Sequence, residues 1–213
     1  MSSGEEEDRF NGEEEDEGEC PPYGLMEYWD ERYGVVNEQF DWYQTWDTIY
    51  PHISKLFLGG EVVLNIGCGN STMSADMAKV FEKVVSIDFS AVVIRQMAER
   101  YSENKKLEWF TMDCTDMTFE DEQFDFAFDK GTLDAIMCGE DSKINIELAL
   151  LEIYRVLTDG GVFVEISYGT PESRLPLFRS FDFNWDVYDP IEIENPDRPG
   201  SPHYIYLFAK GLE

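Results

Sequence analysis

The stretch Val62-Val63-Leu64-Asn65-Ile66-Gly67-Cys68-Gly69-Asn70-Ser71 decides how the rest of the chain reads. A short, mostly apolar and β-branched run gives a buried strand, and two glycines one residue apart give a sharp turn. A helical pattern follows over Ser71–Phe81. Working outward, the alternation repeats: strand at Val84–Asp88, helix at Ala91–Tyr101, strands at Leu107–Met112 and Phe124–Asp129, helix at Ile144–Leu157. A further strand, Gly161–Tyr168, follows the Asp159-Gly160-Gly161 turn. With Glu61–Ile66 this predicts five strands and at least three crossover helices, an α/β doubly wound, mostly parallel sheet. Phe181–Tyr188 and His203–Ala209 read as two more strands, and the Pro190–Pro202 loop between them has no room for a crossover helix, so they pair antiparallel.

The chain has 213 residues, enough for one α/β domain with a proper core. No apolar run reaches the roughly 18 residues that span a bilayer, and no basic region followed by an apolar stretch opens the chain. A soluble, cytoplasmic protein is expected. Lys and Arg total 16 against 45 Asp and Glu, a net charge of −29. That charge repels nucleic-acid phosphates and anionic lipid, so neither nucleic acid nor membrane is expected as a partner. Ten of the acids lie in residues 1–19, and residues 1–22 read as a disordered acidic tail before a domain at 23–213. Without those ten acids and Arg9 a surplus of 20 negative charges remains, which serves solubility or a positively charged macromolecular partner. Cys20, Cys68, Cys114 and Cys138 lack paired zinc spacings and read as reduced thiols; with only His52 and His203 besides, no metal site is expected.

Three positions carry chemistry. The glycine turn lets backbone approach a ligand, but Thr72 stands where a dinucleotide fingerprint has its third glycine, and no Gly-Lys-Ser/Thr loop occurs. Asp88, ending the second strand, suits the vicinal hydroxyls of a ribose, with Phe89 placed for an adenine face; an acidic cap for the next helix is the competing reading. Asp113 and the Cys114 backbone N–H, after the third strand, suit a base edge, against a plain turn-forming Asp. Together they describe a nucleoside carrying a non-phosphate substituent, which S-adenosylmethionine fits. Ahead of the first strand, residues 23–50 hold nine aromatic side chains, a leader able to lie across the carboxyl ends of the strands.

The sequence resembles class I S-adenosylmethionine-dependent methyltransferases, whose sheet has seven strands with one antiparallel. Tyr28-Trp29-Asp30-Glu31-Arg32-Tyr33, Asp41-Trp42-Tyr43, Gly67-Cys68-Gly69-Asn70-Ser71 and Asp129-Lys130-Gly131-Thr132-Leu133-Asp134-Ala135 are similar to the subgroup that includes lysine methyltransferases of translation elongation factor 1-alpha. The likeness covers residues 25–210. It implies that Trp29, Tyr33 and Trp42 close over the methionine end and ribose of the cofactor, where core packing is the alternative. It further implies that Gly67 and Gly69 lie against the methionine moiety, Asp88 on the ribose, Phe89 on the adenine, Asp113 and Cys114 on the base edge, and Lys130 at the amino-acid end, its backbone carbonyl being one route. Two positions depart from the pattern: Asn65 stands where an acid is usual, and a member of the family has Glu where this chain has Asp129.

A lysine acceptor has a pKa near 10.4, so only about one in 2,500 is unprotonated at pH 7. Asp129 is expected to orient that amine, with Asp134 the alternate. The resemblance implies a basic protein substrate, elongation factor 1-alpha among them; a small-molecule methyltransferase and a cofactor-binding scaffold without turnover are the alternatives.

Overall fold

The computed structural model describes residues 22–36 and 38–212; the acidic segment 1–19 lies outside them. The leader forms α1 (Met26–Val35) and α2 (Trp46–Ile53). Then follow β1 (Val62–Ile66), α3 (Met73–Met77), β2 (Lys83–Asp88), α4 (Ala91–Arg100), β3 (Leu107–Thr111) and β4 (Phe124–Lys130). The chain continues through α5 (Thr132–Met137), α6 (Ser142–Val156), β5 (Leu157–Ser167), α7 (Pro171–Arg179), β6 (Trp185–Val187), β7 (Ile191–Ile193) and β8 (His203–Lys210).

The sheet order is β3-β2-β1-β4-β5-β8-β6, with β7 also on β8. β1 to β5 pair parallel, and β8 runs antiparallel to its neighbours. Eight strands stand where seven were expected, because the outer edge is divided. β6 pairs with the Lys210 end of β8 and β7 with its His203 end. Pro190 sits in the gap, with no N–H to offer the ladder.

Helix burial follows the sequence period. α6 buries Ile146, Ala149, Leu150, Ile153 and Val156, one stripe at helical spacing. It packs with Leu64, Ala127 and Phe163 on one sheet face, while Ile49, Met77 and Trp46 pack with Val63, Phe128 and Val164 on the other. α3 is shorter than the expected helix at both ends; at its entry the Ser71 hydroxyl and the Thr72 N–H and hydroxyl donate to Asp41 in the leader. α5, α7 and β7 are additions to the expected elements. Among the described residues no helix is long and apolar enough to cross a membrane. Cys68 and Cys114 are free thiols.

Candidate active site at the carboxyl ends of β1 to β5

The chain runs outward from β1 through β2 to β3, then returns to build β4 on the other side of β1. A doubly wound sheet opens its crevice at such a reversal, beyond the strand carboxyl ends. The glycine turn occupies that point. Gly67 and Gly69 have φ of +55° and +51°, a region that strains other residues. A Cβ at Gly67 would overlap the Thr132 side chain, and one at Gly69 would lie 2.8 Å from the Tyr33 hydroxyl.

Asp88 is buried at the end of β2, where one oxygen accepts from Gly69 N–H (3.0 Å) and the other from Ser90 N–H (2.9 Å). The α4 cap is Ser90, whose hydroxyl oxygen accepts from Val93 N–H, so Asp88 is no helix cap but a brace for the glycine turn. Burial pushes its carboxyl up to about 6, against the pull of those two N–H groups, and Asp30 adds to the rise. Two carboxylate oxygens have about four lone-pair directions, which leaves room for two hydroxyl donors.

Beside Asp88 lies a groove of about 410 Å³ lined by Phe89, Thr111, Met112 and Asp113, with Gly24 to Met26 of the leader opposite. Phe89 and Asp113 thus line the same groove. Asp113 is exposed, and one of its oxygens accepts from the Thr115 N–H and hydroxyl, so the turn reading holds for that oxygen. Burial pushes the adjoining Cys114 thiol up, so it stays neutral. A larger groove, about 500 Å³, lies between α2 and β7 and contains none of the expected residues.

The aromatic leader crosses the strand ends as an arc. Tyr33 stacks on Trp29 (5.6 Å between centroids), Trp29 meets Trp42 edge-on (6.2 Å), and Trp42 meets Tyr43 (6.4 Å). Trp29 and Tyr33 are also core, buried with Val93, Ile94 and Met97 of α4. The Tyr33 hydroxyl reaches the glycine turn at Gly69.

The side chain of Lys130, at the end of β4, turns to the leader. Its buried ammonium donates to Asp41 (3.0 Å) and to the Trp42 carbonyl (2.9 Å), fastening the leader to the end of β4. Burial raises the Asp41 carboxyl, but Lys130, Ser71 and Thr72 outweigh it and hold it below the usual range. Asp41 is the functional residue that residue-by-residue reading missed; only its place in the Asp-Trp-Tyr run pointed to it. Asp129 is fully buried, and its oxygens accept from the N–H groups of Thr132 and Leu133 (both 2.9 Å). Burial pushes it up to about 7 and Asp134 adds to that. It holds the start of α5. Asn65 donates to Ser74 beneath α3 (2.8 Å), away from the groove.

A family model described as a methyltransferase domain matches residues 64–164. EEF1A lysine methyltransferase 4 of Mus musculus is 29% identical over 176 residues, 78% of this chain and 69% of that protein. The eEF1A lysine and N-terminal methyltransferase of Bos taurus is 36% identical over 150 residues, 68% of this chain but 22% of that protein. The chain carries a methyltransferase domain. This methyltransferase has the fold of a SAM-dependent methyltransferase from Methanosarcina mazei (TM-score 0.61, 17% identity, 77% of this chain and 99% of the other). It matches equally the N-methyltransferase NodS of Bradyrhizobium japonicum bound to S-adenosyl-L-homocysteine (TM-score 0.63, 15% identity, 89% of each). The [4+2]-cyclase SpnF is as similar in fold (TM-score 0.64, 15% identity, 90% and 95% covered), so the fold does not choose the reaction. The cofactor of this methyltransferase is S-adenosylmethionine, and a cradle closed to any Cβ beside a buried carboxylate and a groove fits that group.

Proposed function

We propose that this methyltransferase transfers methyl to a lysine of a basic protein, translation elongation factor 1-alpha. The observation that carries the reading is the match over most of the chain to relatives named for that activity. The charge of −29 supports it, since docking a basic protein is favoured electrostatically. Gly67 and Gly69 would hold the methionine moiety, Asp88 the ribose hydroxyls, and Phe89, Asp113 and Cys114 the adenine. Tyr33, Trp29 and Trp42 would roof the methionine end, with Lys130 holding that roof down.

The cofactor supplies an electrophilic methyl on a sulfonium whose departure as a neutral thioether needs no acid. What remains for the protein is orientation and desolvation of the acceptor, worth several kcal/mol in well-placed reactions. Asp129 contributes by fixing the Lys130–Leu133 turn at the crevice, as a positioning residue. Incubation with labelled S-adenosylmethionine and purified elongation factor 1-alpha tests the reading: a labelled lysine in that protein supports it. Label found only in small molecules of a cell extract, or none despite measurable cofactor binding, overturns it.

A further inference from the structure

The groove of about 500 Å³ between α2 and β7 is rich in hydrogen-bond acceptors. On α2, Asp47 and Pro51 stand four apart and so share one helix face. Pro51 has no N–H, which deprives the Asp47 carbonyl of its donor one turn on. On the opposite wall, Glu192 and Glu194 are two apart in an extended run and share one face of β7 and its continuation. Asp47, Glu192 and Glu194 are exposed and enter no ion pair among the described residues. No Lys or Arg lines the groove.

Gln44 lines it too, although only 3% of that residue is exposed. Its amide nitrogen donates to the Glu194 carbonyl (2.8 Å) and lies 3.1 Å from His203 Nδ1. A carbonyl oxygen only accepts, so the orientation of the amide is fixed. Oε1 is then left as an acceptor on the groove with no hydrogen-bond partner among the described residues. A buried acceptor without a donor costs free energy, and a donor arriving along the groove removes that cost. Among the described residues β7 pairs with β8 alone, so its other edge is open to an extended chain. Gln44 lies two residues beyond Trp42, which joins the groove to the aromatic arc over the strand ends.

We propose that this groove docks an extended, lysine- or arginine-bearing segment of the acceptor protein, one of whose N–H groups donates to Gln44 Oε1 while its cations face Asp47, Glu192 and Glu194. This rests on the lysine-methyltransferase reading and says where the acceptor protein is held outside the crevice. An acidic segment would meet like charge on both walls, and a neutral one would leave the three carboxylates unanswered.

The test titrates a heptapeptide of alternating threonine and lysine, at physiological salt, into the full chain saturated with S-adenosylhomocysteine and follows it by NMR. Peptides with glutamine or glutamate in place of lysine serve for comparison. The lysine peptide should shift the Gln44 side-chain amide and the backbone signals of Glu192 to Glu194. The glutamine peptide should bind about tenfold more weakly, and the glutamate peptide should not bind. Asp47→Asn, Glu192→Gln and Glu194→Gln together should weaken the lysine peptide about tenfold, a little over twofold for each exposed ion pair lost. The same charge change at Glu99, Glu103 and Glu120, exposed and outside the groove, should leave its affinity within about twofold, because distant charges are screened. On elongation factor 1-alpha the groove variant should raise KM about tenfold, with kcat and S-adenosylhomocysteine affinity unchanged. Shifts confined to other surfaces, equal weakening by both triple variants, or an unchanged KM overturn the docking groove even if elongation factor 1-alpha is methylated. Selective binding at the groove without any methylation supports it and removes the activity assigned above.

Discussion

Acidifying the solution from pH 7 to pH 5 should weaken S-adenosylhomocysteine binding through Asp88. Its carboxyl titrates at about 6 in the free protein, because burial outweighs the two N–H groups it accepts from. Ribose hydroxyls donate to it, and they favour the ionised form, so the bound carboxyl titrates lower. Binding then expels a proton wherever the free carboxyl is protonated. The factor 1 + 10^(6−pH) is about 11 at pH 5 and about 1.1 at pH 7, an affinity loss near tenfold or about 1.4 kcal/mol. Calorimetry in two buffers of different ionisation enthalpy reads both quantities, and at pH 6 about half a proton should leave per ligand bound. Asp129 titrates in the same window, but both its oxygens are engaged by α5. Asp88→Asn separates the two, since it should bind weakly and with no pH dependence over this range. An affinity constant within twofold between pH 5 and pH 7, with no proton released, would refute the ribose assignment.

Gly67→Ala should cost roughly 2 kcal/mol or more, from the left-handed backbone and the overlap with Thr132, and abolish S-adenosylhomocysteine binding; urea unfolding and calorimetry measure the two. Lys130→Met should destabilise by about 3 kcal/mol, the low end for a broken buried pair because Asp41 keeps Ser71 and Thr72. Its thermal midpoint should fall by roughly 6 to 12 °C, and a midpoint unchanged within a degree would deny the leader's attachment. Methylation of elongation factor 1-alpha should slow steeply from low to high salt while S-adenosylhomocysteine affinity holds; equal rates across that range would exclude electrostatic docking.

The parallel strands were legible because each is a short apolar run closed by a turn residue, and β1, β2, β4 and α6 lie within a few residues of their expected bounds. α5 was not legible: six residues starting after Gly131 are too few for a helical period, and its start depends on Asp129 accepting from its first N–H groups. α7 did carry a signal, Thr170-Pro171-Glu172, with Pro at the first helical position. The split outer strand follows from Pro190, visible in the sequence but meaningful only once β8 is its partner.

At the site the same division holds. The glycine turn, the carboxylate at the end of β2 and the groove residues after β2 and β3 could be read from residue order, since each follows a strand end and the parallel topology delivers strand ends to one crevice. The partners of Lys130, Asp41, Asp129 and Glu165 emerge from the folded chain. Lys130 bonds to Asp41, 89 residues away, and Asp129 holds the start of α5. Glu165 is left without a hydrogen-bond partner. A buried charge takes its meaning from what surrounds it, and chain order does not specify those surroundings until the fold has closed.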